Sequence, residues 1–93
     1  MNTSKLDLQV EKLKAISHPH RLCIIKGLID SSCNVSRIQE CLQLPQSTVS
    51  QHLSKLKAAG IVKGDRNGLE IRYSVVDEEV MAITNIIFED IDK

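Results

Sequence analysis

The sequence predicts a mainly α-helical domain with one small β-hairpin, in the order α-α-α-α-β-β-α. Three observations carry that prediction. Five windows place apolar residues three, four and seven positions apart, the period of a helix that buries one face. Two β-prone runs flank Asn67-Gly68, a dipeptide that favours a tight hairpin turn. The length, 93 residues, is enough for one hydrophobic core and too little for two.

Each element follows from its residues. Leu6, Val10 and Leu13 stand behind Ser4, which with Asp7 makes a capping-box-like start, so the first helix is expected over about residues 4–16. Pro19, whose ring fixes φ near the helical value, opens a second helix with a broad apolar face of Leu22, Ile24, Ile25, Leu28 and Ile29, ending near Asp30. Asn34 is placed to cap a short third helix carrying Val35, Ile38 and Leu42. After the turn at Leu44-Pro45, Val49, Leu53 and Leu56 give the fourth helix one apolar side. Gln46, Ser47, Ser50, Gln51 and Ser54 face outward until Gly60 stops it. Ile61-Val62-Lys63 and Ile71 to Val75 are the two strands of the hairpin. Asp77 caps a last helix in which Glu78 and Glu79 suit the macrodipole and Val80, Ile83, Ile87 and Ile91 recur at helical spacing. Met81, Ile86 and Phe88 widen that arc beyond what one small core covers, so part of it is expected to pack on a second subunit.

Composition narrows the function classes. With 42% hydrophobic and 26% charged residues the chain is ordinary for a folded soluble domain. One Tyr, one Phe and no Trp leave Leu, Ile and Val to build a core that is marginal alone, which again favours a dimer. Net charge is zero, but it is unevenly spread: +2 over residues 1–43, +3 over 44–75 and −5 over 76–93. No run of about 18 apolar residues and no apolar leader is present, so a cytoplasmic protein with no membrane partner is expected. Three cysteines without a C-x-x-C pattern argue against a disulfide framework or a structural zinc site, and no cofactor is expected. With no nucleophile elbow, phosphate loop or paired His/carboxylate motif, the chain does not read as an enzyme.

A short helix, a tight turn and a helix with a hydrogen-bonding face make a helix-turn-helix, whose second member fits the major groove of double-stranded DNA. The hairpin is then a wing. Gln bonds bidentately to adenine and Ser serves several bases, while Lys55 and Lys57 reach phosphates. Lys63, Arg66 and Arg72 make the wing basic, and its Arg66-Asn67 tip suits the minor groove or the backbone. The competing reading of the Gln/Ser face is a helix that is merely solvated.

The run Leu44-Pro45-Gln46-Ser47-Thr48-Val49-Ser50-Gln51-His52-Leu53, with Leu56-Lys57-Ala58-Ala59-Gly60-Ile61-Val62 and Arg66-Asn67-Gly68-Leu69-Glu70-Ile71-Arg72-Tyr73-Ser74 after it, closely resembles the ArsR/SmtB family of winged helix-turn-helix repressors. Leu13 to Leu22 resembles the segment before the family's second helix, so the resemblance covers about residues 10–80. Pro45 and Gly68-Leu69-Glu70-Ile71 are similar to the small, protective-antigen repressor-like members that lack the usual metal sites. The chain is expected to be a single domain over 1–93, with the helix-turn-helix at about 35–59 and the wing at about 61–75, and the resemblance implies that the helices at about 4–16 and 78–91 dimerise. It further implies a homodimer on an inverted-repeat operator, and the mechanism expected of such a dimer near a promoter is steric, the blocking of polymerase. Gln46, Ser47, Ser50 and Gln51 would then read bases, with Thr48 and His52 at the flank of the helix. Lys55, Lys57, Arg66, Asn67 and Arg72 complete the expected DNA contacts. Leu6, Val10, Leu13, Val80, Ile83, Ile87 and Ile91 are the expected dimer interface.

The departures from the family concern capping and sensing. Pro45 stands where members often carry a capping Ser, so helix entry is kept and one capping bond is lost. The family's Cys-Val-Cys metal motif corresponds to Asn34-Val35-Ser36, and its last-helix metal set corresponds to Asp77, Glu79, Asp90 and Lys93, without an imidazole. The redox branch's cysteine pair is also missing; Cys23, on the same side of its helix as Lys26 and Asp30, is the thiol best placed for redox chemistry. His18 and His20, flanking Pro19, read as capping or packing residues at a helix start, and no metal is expected. The function expected is a dimeric DNA-binding repressor without a conventional metal site, its effector unknown. The alternatives are a metal- or thiol-responsive repressor of the same fold, or a protein-interaction module that no longer binds DNA.

Overall fold

The computed structural model describes residues 3–31 and 33–91. Lys93, the last position of the family's metal set, lies outside them. The elements are α1 (Thr3–Ile16), α2 (Pro19–Asp30), β1 (Cys33–Asn34), α3 (Val35–Leu42), α4 (Gln46–Ala58), β2 (Val62–Asn67), β3 (Glu70–Val75) and α5 (Glu78–Ile91). α1 starts one residue before the expected cap, so Ser4 lies inside its first turn.

The other helix starts follow the capping chemistry. Pro19 occupies the first turn of α2, and the His18 side chain, in extended backbone before it, accepts from the His20 N–H at 3.1 Å. Asn34 accepts from the Arg37 N–H at 2.9 Å and so caps α3. Gln43, at φ 57°, turns the chain out of α3, and α4 begins at Pro45 with no side-chain capping bond. Asp77 Oδ1 accepts from the Val80 N–H at 2.9 Å, which caps α5.

The sheet has one more strand than expected. β3 lies between β1 and β2, antiparallel to both. Cys33 pairs with Tyr73 and Asn34 with Arg72, so the residue that caps α3 also ties that helix to the wing. Asn67 pairs with Glu70, which makes Gly68-Leu69 the two-residue turn, one position later than Asn67-Gly68. Gly68 supplies the positive φ, 69°, that such a turn needs at its first central residue.

The core lies where α2, α4, α5 and the base of the hairpin meet. Ile25, Val49, Leu56, Ile61 and Val80 are fully buried, with Leu53 close to that limit. Val80 was expected at a dimer interface; it is a core residue instead, because the first turn of α5 points inward, and it has no surface left to offer a partner. Ile83 packs against the same core, Ile87 is half-buried, and Ile91 is 65% exposed. Leu6, Val10 and Leu13 of α1 are exposed, together with Ile86 of the wide α5 arc and with Leu8, which was not among the expected interface residues. α1 is held to α5 by Lys12, whose Nζ lies 2.8 Å from Asp77 and 3.1 Å from Glu79.

Candidate nucleic-acid interface

Amphipathicity makes the site. Burial of Val49, Leu53 and Leu56 fixes the rotation of α4, and the opposite face, Gln46, Ser47, Ser50, Gln51 and Ser54, is left exposed along two turns. That face carries amide and hydroxyl groups and no carboxylate, the donors and acceptors that pair with base edges. Thr48 is half-buried at its flank.

His52 was expected at that flank as well, and the structure places it inside. It is 9% exposed, because it lies on the Leu53 side of α4, where α2 covers it. Arg21 Nη1 is 3.4 Å from its Nδ1, and the His18 and His52 ring centroids are 4.6 Å apart. Burial first, then the neighbouring His18 and Arg21, lowers the pKa of His52; burial and Arg21 lower that of His18. Arg21, itself buried, also donates from Nε to the Ala15 carbonyl, so one guanidinium pins the end of α1 to the middle of α4. Sequence reasoning passed over Arg21; its only signal was a lone cation in the first turn of an otherwise apolar helix.

At its C-terminal end α4 carries Lys55 and Lys57, both exposed in the last turns where cations suit the macrodipole. Lys55 shares a groove with Lys14, Glu11 and Arg21, in which Lys14 is 3.4 Å from Glu11. At the other end Gln46 lines a groove with Asn34, Val35, Leu69, Glu70 and Ile71, which brings the wing tip beside the start of α4.

The register divides the wing residues. Cross-strand partners share a face, so Lys63, Asp65, Asn67, Glu70, Arg72 and Ser74 lie on one side, and Val62, Gly64, Arg66, Ile71, Tyr73 and Val75 on the other. Arg66 therefore points away from Asn67 and Arg72, although all three are exposed. Lys63 is 3.5 Å from Asp65, a solvent-exposed pair of little energetic weight.

Asp77 lies outside this surface, between α1 and the start of α5. Burial pushes its carboxyl up, while Lys12 and the Val80 N–H outweigh that and hold it below the usual aspartate range. Glu79 is lowered by Lys12 and Gln9, and Lys12 is raised by both carboxylates. Cys23 and Cys41 are both exposed and line one small cavity with Arg37.

A family model described as bacterial regulatory protein, arsR family, matches residues 18–63. The transcriptional repressor PagR of Bacillus anthracis is 42% identical over 83 residues, 88% of this chain and 83% of that protein. Its crystal structure superposes with a TM-score of 0.84 at 40% identity, covering 92% of this chain and 99% of that one. The repressor SmtB of Mycobacterium tuberculosis is 41% identical over 78 residues, 84% of this chain and 58% of that protein. The homodimeric winged helix-turn-helix domain Mb0332 of Mycobacterium bovis, solved in solution, has a TM-score of 0.85 at 26% identity and covers 97% of this chain and 83% of that one.

Proposed function

Because the chain belongs to the arsR family of bacterial regulatory proteins, we infer that it is a dimeric DNA-binding transcriptional repressor acting on an inverted-repeat operator. One observation carries the reading furthest: the face of α4 that packing leaves exposed is a continuous row of Gln and Ser, with lysines beyond its C-terminal end and the wing tip beside its start. In the major groove Gln46, Ser47, Ser50 and Gln51 read base edges, and Thr48 lies at the margin. Lys55, Lys57 and Arg72 neutralise phosphates, Asn67 on the same face of the wing as Arg72 reaches the backbone, and Arg66 extends from the opposite face of the tip. The whole chain acts as one domain. The exposed apolar residues of α1 and of the end of α5, Leu6, Leu8, Val10, Leu13, Ile86 and Ile91, join two copies. A dimer seated at a promoter excludes polymerase.

Selection of bound duplexes from a random library tests this. The expected product is an inverted repeat whose half-sites lie about one helical turn apart, or a multiple of it, with two protein chains per duplex. Recovery of no common sequence, or of a single unrepeated half-site bound by one chain, overturns it.

A further inference from the structure

The fold gathers all three histidines of the chain in one place. His18 stands immediately before α2, His20 in its first turn, and His52 in the middle of α4. One ring nitrogen from each lies within 4.8 Å of the other two, and the ring centroids are 4.6 to 5.8 Å apart. None of the three is exposed, so the rings are held by packing rather than free to scatter. No carboxylate belongs to the group, and imidazole nitrogen alone selects the borderline transition metals over calcium or magnesium.

We propose that His18, His20 and His52 bind one divalent transition-metal ion of the zinc, cobalt or nickel class, and that this ion acts on the recognition helix. Three imidazoles and a water make a four-coordinate site, in which the nitrogens, each about 2.0–2.1 Å from the ion, stand about 3.4 Å apart. The widest pair of nitrogens, no more than 4.8 Å apart at present, therefore closes by at most roughly 1.4 Å. Two present bonds oppose that closure: the His20 N–H donates to His18 Nδ1, and Arg21 lies against His52 Nδ1. Arg21 and Lys55 are the cations nearest these imidazoles. Coordination changes the tautomer or the direct partner at both nitrogens, so the ion loosens the start of α2 and the Arg21 link to α4. Neutral imidazole is the ligating form, and burial favours it here. The coupling to DNA rests on the repressor reading; the metal site does not.

Titration of the reduced, chelator-stripped full-length protein with Co²⁺ tests the site. One ion per chain is expected, with visible d–d absorption and no thiolate-to-cobalt charge transfer. His20→Ala, at the partly exposed edge of the cluster, is expected to weaken binding by more than about 100-fold, beyond the roughly 10–100-fold that loss of an outer hydrogen-bond partner costs. Cys23→Ser with Cys41→Ser is expected to leave it unchanged. No Co²⁺ binding, binding unaltered in His20→Ala, or binding lost in the cysteine variant overturns the site. Anisotropy on a selected duplex with and without Co²⁺ tests the second half: a change in DNA affinity that His20→Ala abolishes is expected. Unchanged DNA affinity with the site filled overturns the coupling. Failure to bind any duplex would instead overturn the repressor reading and leave the Co²⁺ result standing.

Discussion

Thr84 is fully buried in α5, and its Oγ1 has no hydrogen-bond partner among the described residues. The hydroxyl gives up water and gains nothing in return, whereas a Val of the same shape would bury a methyl group. Thr84→Val is expected to raise the unfolding free energy by about 1 kcal/mol, read from urea denaturation. A lower midpoint would mean that the hydroxyl is bonded after all. Single residues were the least legible part of the sequence. Spacing reports which residues share a helix face, but not how far that face wraps before solvent begins. His52 follows one residue after Gln51 and falls on the buried side; Val80 shares a repeat with Ile91 and falls in the core. The His18, His20 and His52 cluster was invisible for a further reason: its third member is 32 residues from the second and joins only when α4 crosses α2.

The elements themselves were largely legible, because their ends are chemical. Pro19, Asn34 and Asp77 start helices as their side chains dictate, and Gly68 places the hairpin turn within one residue of the expected position. The strand β1 was not legible, since two residues carry no alternation and owe their conformation to a partner 38 or more positions away. The hairpin also has a steric requirement that composition does not announce. Gly64 faces Tyr73 across the ladder, and a Cβ there would stand 2.7 Å from Ile71 Cγ2 and 3.1 Å from Tyr73 Cε1. Gly64→Ala is expected to destabilise the domain by about 1–3 kcal/mol as those side chains are displaced. An unchanged denaturation midpoint would show that the wing relaxes at no cost.

At the scale of the molecule, sequence reading found the fold class, the polar face of α4 and the uneven charge. The extents, 44 × 34 × 20 Å, describe a slab rather than a sphere, and a chain of this shape leaves apolar residues of α1 and α5 uncovered. Net charge was a poor guide, because the acidic excess lies in residues 76–93, where Asp77 caps α5 and, with Glu79, tethers Lys12, while α4 and the wing keep their cations exposed. On the proposed reading, base reading and phosphate contact fall to different residues. The measurement that tests this most directly is fluorescence anisotropy of the wild type, Gln51→Ala and Lys55→Ala on a selected duplex and on its scrambled counterpart, across a salt series. Gln51→Ala is expected to lose about 1–3 kcal/mol on the selected duplex and almost nothing on the scrambled one, while Lys55→Ala weakens both alike and lowers the salt slope by about 1. Equal losses for Gln51→Ala on the two duplexes would contradict base reading by the exposed face of α4.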